Sequence, residues 1–210
     1  MARQPPVTGG NQDKNQPTGP TAGWCSARDN AMLETNETGL LVVDIQGKLA
    51  RIVHDSERVL ANTAKLIRGA QILGLPILWL EQNPEKLGGT VDEISALLPD
   101  QRPITKYTFD ACREPAFVAA VQNAGVRTWL VCGIEAHICV YQTSLHLYDL
   151  GYGVELVGDC ITSRAAANRE LAIARLAAKG VGITGLEMCL YELAVDCRAA
   201  CFRPILELIR

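Results

Sequence analysis

Residues 131–157, VCGIEAHICVYQTSLHLYDLGYGVELV, carry an apolar run at each end and a helix-like segment between them. The two end runs are rich in Val, Leu and Ile, as strands covered on both faces are. The middle segment is apolar almost all round, which predicts a buried helix. A strand, a helix and a second strand in this order are typical of a parallel sheet with a crossover connection. We therefore expect an α/β fold with this stretch at its centre.

The same alternation continues along the chain from residue 40 to the end. Between the predicted strands lie helix candidates, several of which end at Gly, and one of which we expect to begin with Ser163 as its N-cap. Short connections between strands and helices favour an open, doubly wound parallel sheet in a single domain. The predicted strands are 40–45, 76–81, 103–107, 127–134, 153–159 and 181–184.

Composition and charge exclude several classes of partner. The chain has 210 residues, of which 48% are hydrophobic, and its net charge is −3. A slightly negative net charge does not favour nucleic acid as a partner. The chain also has no run of Lys and Arg of the kind that binds a membrane surface. The apolar stretches are too short to span a bilayer. We therefore expect neither nucleic acid nor a membrane as a partner.

The first 30 residues differ in composition from the rest. They are rich in Pro, Gly, Gln and Asn, which predicts a disordered tail at 1–30 and one folded domain at 31–210. The tail lacks the apolar core of a secretion signal, so we expect a cytoplasmic protein.

Three polar residues follow predicted strands at the edge of the sheet where such folds bind ligands. Asp44 closes the first strand, Lys106 the third, and Cys139 lies just beyond the fourth. Together they supply a proton acceptor, a cation and a nucleophile. Because the start of a helix and an ammonium both favour a thiolate, we expect Cys139 to be largely ionised at neutral pH, with Asp44 opposing this. Each residue alone also has a purely structural interpretation.

Other candidate motifs are weaker. The eight cysteines form no C-x-x-C pair, so we interpret most of them as buried hydrophobic residues. The sequence GVGITG at 180–185 has dinucleotide-site spacing but places β-like residues between its glycines. His54 and His146 have no companions in sequence and are interpreted as surface or packing residues.

Several segments resemble the isochorismatase-like cysteine hydrolases, in particular the isochorismatase domain-containing proteins. The resemblance runs in order from about residue 39 to the C-terminus. The segments that carry it are GLLVVDIQGKL, EQNPEKLGGTVDEI, ITKYTFDA, VCGIEAHICVYQTSLHLYDLGYGVELVGDCITSR, GLEMCLYELAVD and FRPILELI.

The resemblance implies a Rossmann-like, three-layer α-β-α fold with a doubly wound sheet of six parallel strands. It implies that Asp44, Lys106 and Cys139 form a catalytic triad. It also implies a cis peptide bond between Ile134 and Glu135. The backbone N–H groups of Glu135 and Cys139 would then form an oxyanion hole for the substrate carbonyl.

Two departures from the wider family refine the expected activity. The segment after the second strand, EQNPEKLGGT, has no histidine, so we expect no metal and no cofactor. The presence of Cys139 favours hydrolysis of a small amide or related carbonyl compound through a thioester. The alternatives are hydrolysis of a vinyl ether, as in isochorismatase itself, and a catalytically silent scaffold or binding protein. Position alone suggests four residues of the substrate pocket: Gln46, Gln82, Tyr107 and Phe109.

The C-terminal stretch 190–210 is rich in apolar residues that look exposed. Large apolar surface on a chain of this kind indicates a protein partner, and the resemblance implies a homo-oligomer. We expect at least a dimer.

Overall fold

The computed structural model describes residues 32–210, so the predicted tail at 1–30 lies outside the described residues. Its central feature is one sheet of six strands, all parallel, in the order β3-β2-β1-β4-β5-β6. This arrangement confirms the doubly wound, Rossmann-like prediction. The strands are β1 (Thr38–Val43), β2 (Ile77–Gln82), β3 (Ile104–Lys106), β4 (Thr128–Gly133), β5 (Gly153–Ile161) and β6 (Gly182–Thr184).

Helices connect the strands and cover both faces of the sheet. A 3₁₀ turn at Ala111–Arg113 precedes one of these helices, and a π turn at Ala136–Val140 precedes another. No helix within residues 32–210 is long and apolar enough to cross a bilayer. The helices are α1 (Leu49–Ile52), α2 (Ser56–Ile72), α3 (Pro84–Leu87), α4 (Asp92–Ser95), α5 (Pro115–Ala124), α6 (Tyr141–Asp149), α7 (Ala166–Ala177), α8 (Leu186–Ala194) and α9 (Phe202–Ile209).

Two hydrophobic cores separate the three layers. Successive side chains of a strand point to opposite faces, and β1 accordingly sends Leu40 and Val42 into one core and Leu41 and Val43 into the other. The first core also contains residues of α2, α8 and α9, and the second contains residues of α5, α6 and α7. Both faces of the sheet are thereby shielded from water, which explains why its strands read as continuous apolar runs.

Two local expectations were wrong. The segment after β4 begins with a π turn, and α6 buries only one face, through Thr143, Ser144 and Leu147. Ser163 is not an N-cap, because α7 begins at Ala166, and its hydroxyl instead contacts the ring of His137.

The strand order reverses between β1 and β4. The chain places β2 and β3 on one side of β1, and then β4, β5 and β6 on the other. Connections therefore leave the ends of β1 and β4 in opposite directions and open a crevice there, where folds of this type bind ligands. Gly133, the last residue of β4, has φ +125°, and a Cβ built on it would lie 2.0 Å from the carbonyl oxygen of Val43. Only glycine allows these two strand ends to approach so closely.

We predict that Gly133→Ala prevents folding or costs more than about 4 kcal/mol of unfolding free energy, because the clash is with backbone that cannot move aside. Gly125→Ala is the matched control. Gly125 also has positive φ, +67°, but a Cβ there meets no atom within 4 Å. The control should lose only about 1–2 kcal/mol, the cost of a left-handed backbone for alanine. Urea unfolding measures both values, and equal losses would contradict the close-approach argument.

Candidate active site

Asp44 follows directly after β1, at the point where strand order reverses. Its backbone adopts φ +52°, and its N–H donates to the carbonyl of Leu80, at 3.2 Å. The residue is 3% exposed, so its carboxylate lies away from bulk water. A buried carboxylate needs a partner.

Lys106, the last residue of β3, supplies that partner and is fully buried. Its ammonium donates to Asp44 Oδ2 at 2.6 Å, to Gln82 Oε1 at 2.8 Å and, in a longer contact, to the carbonyl of Thr108 at 3.4 Å. An ammonium has three N–H donors, so the three acceptors use its full capacity. The cation is thus held in one position by two side-chain oxygens and one backbone carbonyl.

The second carboxylate oxygen of Asp44 is differently placed. Oδ1 is buried and has no hydrogen bond of ordinary geometry within the described residues. The Cys139 thiol nevertheless lies close enough to interact with this carboxylate. Burial raises the pKa of Asp44, and Lys106 and then Cys139 act against that shift. The carboxylate therefore lies beside the thiol, and one of its oxygens, Oδ1, accepts no hydrogen bond of ordinary geometry from the described residues.

Cys139 lies in the π turn between β4 and α6 and is 6% exposed. Burial, followed by the negative charge of Asp44, raises the pKa of its thiol to about 12, and the nearby Lys106 lowers it only in part. The expectation of a thiolate at neutral pH is therefore wrong. The desolvation of the sulfur outweighs the ammonium, and the resting group is a neutral thiol.

The backbone just before Cys139 turns sharply. The peptide bond between Ile134 and Glu135 is cis. The N–H of Ala136 donates to Thr162 at 2.9 Å, which attaches the turn to the end of β5. The N–H of Glu135 donates to no backbone carbonyl within residues 32–210. Its role in an oxyanion hole stays a prediction.

The Glu135 side chain points away from this chemistry into a polar cluster. Its Oε1 accepts from Arg164 Nε at 2.5 Å, and its Oε2 lies 3.3 Å from His137 Nδ1. The same ring nitrogen lies 3.0 Å from the hydroxyl of Ser163. Arg164 and Ser163 were not predicted from the sequence as neighbours of this turn. Their position just after β5, at the same sheet edge as Asp44, was the available clue.

The two glutamines suggested for the pocket make hydrogen bonds within the protein. The Gln46 amide group is buried and donates to the carbonyls of Gly88, at 2.7 Å, and Gln82, at 3.2 Å. Gln82 accepts from Lys106 and donates to the carbonyl of Tyr107 at 2.8 Å. Gln46 thus uses both of its amide N–H groups, whereas only one N–H of the Gln82 amide has a described acceptor. Both side chains hold the segments around Lys106, and their role in the pocket stays a prediction.

The two aromatic candidates have a different environment. Tyr107 is 63% exposed and Phe109 is 55% exposed, both in the loop that follows Lys106. Exposed aromatic side chains beside a polar crevice are suited to contact a ligand or a second chain. Their role in the pocket stays a prediction.

A metal would find few ligands here. Among residues 32–210, the group of His, Cys, Asp and Glu atoms close enough to share an ion is Asp110, Cys112 and His146. That group does not include Asp44 or Cys139, and the space beside Asp44 is filled by the ammonium of Lys106.

Comparison with known proteins agrees with the fold and the sheet edge described above. The family model that describes the isochorismatase domain matches residues 38–188, which is most of the chain. The chain belongs to the isochorismatase family. The resemblance seen in the sequence is confirmed at this level.

Individual relatives cover most of the chain as well. Isochorismatase domain-containing protein 2 of Danio rerio is 31% identical over 177 residues, covering 84% of this chain and 89% of its own. A secreted isochorismatase effector, Isc1, of Phytophthora sojae is 32% identical over 177 residues, covering 81% and 83%.

Solved structures share the fold. The MAR1 ribonuclease of Caenorhabditis elegans superposes with a TM-score of 0.80 and 29% identity, covering 85% of this chain and 92% of that one. YcaC of Escherichia coli, described as an octameric hydrolase of unknown specificity, gives a TM-score of 0.80 at 23% identity, covering 87% and 92%.

We predict that Lys106→Met costs about 3–5 kcal/mol of stability at neutral pH, because it leaves the Asp44 carboxylate buried without a cation. The loss should shrink at acid pH. A carboxyl whose pKa is raised on folding stabilises the folded protein below its unfolded pKa, and this contribution disappears as pH rises through the folded pKa. Removing Lys106 raises the folded pKa further, so the penalty grows with pH. Urea unfolding across the acid-to-neutral range measures it.

The double variant Lys106→Met with Asp44→Asn is the matched control. It removes both charges, so it should be more stable than Lys106→Met alone at neutral pH. A double variant as unstable as the single one would show that packing, not the uncompensated carboxylate, causes the loss.

Proposed function

We propose that this protein is a metal-independent cysteine hydrolase that cleaves a small amide or related carbonyl compound through a thioester. The observation that carries the proposal is the arrangement of Asp44. Lys106 fixes one carboxylate oxygen at 2.6 Å, the other oxygen has no hydrogen-bond partner among residues 32–210, and the Cys139 thiol lies close to the carboxylate. Family membership supports a hydrolase, and the crevice at the strand reversal provides the place.

In the first half-reaction, Asp44 takes the proton of the Cys139 thiol as sulfur attacks the substrate carbonyl carbon. The new S–C bond converts the carbonyl oxygen to an oxyanion, which the N–H groups of Glu135 and Cys139 stabilise. The intermediate then collapses, the C–N bond breaks, and the amine leaves with the proton that Asp44 held.

In the second half-reaction, a water molecule gives a proton to Asp44 while its oxygen attacks the thioester. The C–S bond breaks, the acid is released, and the sulfur recovers its proton. Lys106 keeps its proton throughout. Its role is to position Asp44 and to balance the negative charge that passes between carboxylate and sulfur.

The raised pKa values fit this scheme. Because the thiol of Cys139 has a pKa of about 12, it is neutral until a substrate arrives. Burial also raises the pKa of Asp44, which makes that carboxylate a stronger base. A buried pair of this kind can pass one proton without exposing a reactive thiolate to solvent.

A vinyl ether hydrolase is the alternative within the family. That chemistry uses the aspartate as a proton donor and has no need of the thiol. The closeness of Cys139 to both Asp44 and Lys106 favours the thioester route. A silent scaffold would leave the unbonded Asp44 oxygen unexplained.

We propose a cytoplasmic location and a small-molecule partner. All seven cysteines within the described residues are free, which suits a reducing compartment. The net charge of −3 disfavours a nucleic-acid partner.

We predict that alkylation and catalysis respond in opposite directions to Asp44→Asn. Removing the carboxylate lowers the pKa of the Cys139 thiol, so native-state labelling by iodoacetamide should become faster. Turnover of any amide found by screening should fall about 10²- to 10⁴-fold, because the general base is lost. Peptide mapping after brief labelling measures the first effect, and product assay measures the second.

This test has two controls: the variant Lys106→Met, and the labelling of a second cysteine, Cys132. Lys106→Met should slow Cys139 labelling, since a positive charge that favours the thiolate is removed. Cys132 is fully buried and its pKa is raised by burial, without contact with Asp44, so its labelling should not change in Asp44→Asn. If Cys139 behaves as Cys132 does, the nucleophile assignment fails and the scaffold becomes the better account.

We further propose a homo-oligomer. Much of the apolar surface expected at 190–210 packs internally, as Ile205 does, but Met188 is 64% exposed and Val195 is 85% exposed on and just after α8. The structural relative YcaC is described as octameric. We predict a dimer or larger species by light scattering at micromolar concentration, and a monomeric mass would contradict this.

A further inference from the structure

A second cluster of reactive side chains lies outside the proposed catalytic residues. Asp110 is the N-cap of the 3₁₀ turn that follows β3, and Cys112 lies within that turn. His146 lies on α6. One donor atom from each residue falls within 4.8 Å of the others. The ring Nδ1 of His146 is 2.7 Å from Asp110 Oδ2, a contact between residues far apart in the sequence.

The cluster is held by backbone contacts between the two elements. The N–H of Ala111 donates to the hydroxyl of Thr143 at 3.0 Å, and the N–H of Cys112 donates to Asp110 Oδ1 at 3.0 Å. The Cys112 sulfur lies 4.0 Å from the carbonyl of Thr143. Asp110 is 6% exposed, whereas Cys112 and His146 are only half-buried. The three side chains are therefore placed close together before any ligand binds.

We propose that Asp110, Cys112 and His146 bind a zinc ion. Carboxylate oxygen, imidazole nitrogen and thiolate sulfur are the three ligand types that zinc accepts together, at about 2.0–2.3 Å. Three protein ligands leave a fourth, tetrahedral position for water. Hard cations such as Mg²⁺ prefer oxygen ligands and would not use the sulfur. Binding requires the donor atoms to close in around the ion.

Zinc would replace interactions that now satisfy the cluster. The ion takes the place of the proton between His146 and Asp110. It also takes the place of the thiol proton of Cys112, so both protons must leave or move to another atom. Arg113 Nε lies 3.2 Å from Asp110 Oδ2 and competes with a cation. Its side chain is 71% exposed, so the guanidinium can turn into solvent. The charges of one carboxylate and one thiolate then balance those of the ion.

The site would also stabilise the loop beside Lys106. Thr108 donates through its hydroxyl to the carbonyl of Asp110 at 2.8 Å, and its own carbonyl lies 3.4 Å from Lys106 Nζ. Zinc at Asp110 would therefore fix one end of the segment that carries Tyr107 and Phe109. It has no contact with the reacting atoms, so its expected effect is to order this loop.

Cobalt substitution on the full-length protein tests the proposal directly. Purified, chelator-treated protein is titrated with Co²⁺, which reports a thiolate ligand through charge-transfer absorption in the near ultraviolet. We expect a band that saturates at one equivalent, disappears on addition of Zn²⁺, and is lost in Cys112→Ser. His146→Gln, whose amide can still donate to Asp110, should weaken binding at least about tenfold.

Two further variants separate this site from other thiols. Cys139→Ala and Cys197→Ser, the latter replacing an exposed cysteine, should retain the full band. If Cys112→Ser does not fold, protection of Cys112 from alkylation by Zn²⁺ in the wild-type protein, read by peptide mapping, supplies the same answer. No band at saturating Co²⁺, a band that survives Cys112→Ser, or an unprotected Cys112 would each overturn the proposal. None of these readouts uses catalysis, so the outcome is independent of the proposed hydrolase.

Discussion

The buried ion pair between Lys106 and Asp44 is the interaction on which the site depends. It joins the ends of β3 and β1 across β2, whose last residue, Gln82, also accepts from the ammonium. Both charges are almost fully removed from water, so neither can be kept without the other. A pair this costly is seldom retained for stability alone. Here it fixes a carboxylate, with one oxygen unbonded, beside a thiol.

This arrangement explains why the resting thiol is neutral. Cys139 lies in a turn covered by protein, where desolvation and the negative charge of Asp44 outweigh the positive charge of Lys106. In our proposal the thiolate forms only when a carbonyl is present to accept the electron pair. The same burial that suppresses ionisation of the thiol also makes the carboxylate a better proton acceptor. The two shifts are consequences of one desolvated crevice.

The sequence predicted the fold more completely than it predicted the site. All six strands were found because strands that are buried on both faces appear in the sequence as apolar runs of strand length. The carboxyl ends of these strands then pointed to Asp44, Lys106 and Cys139. The thiol ionisation was predicted wrongly, because the balance between burial and nearby charge depends on distances that spacing does not give.

The contacts of Arg164 with Glu135 and of His146 with Asp110 were missed for a related reason. Each joins segments about 30 residues apart or more, which only the packed structure brings together.

The most direct test of the proposed chemistry is mass spectrometry of acid-quenched protein during turnover of an amide substrate. The account predicts an acyl group on Cys139 in the wild-type protein and none in Asp44→Asn. Turnover that proceeds without such an adduct and persists in Cys139→Ala would contradict the proposed thioester route.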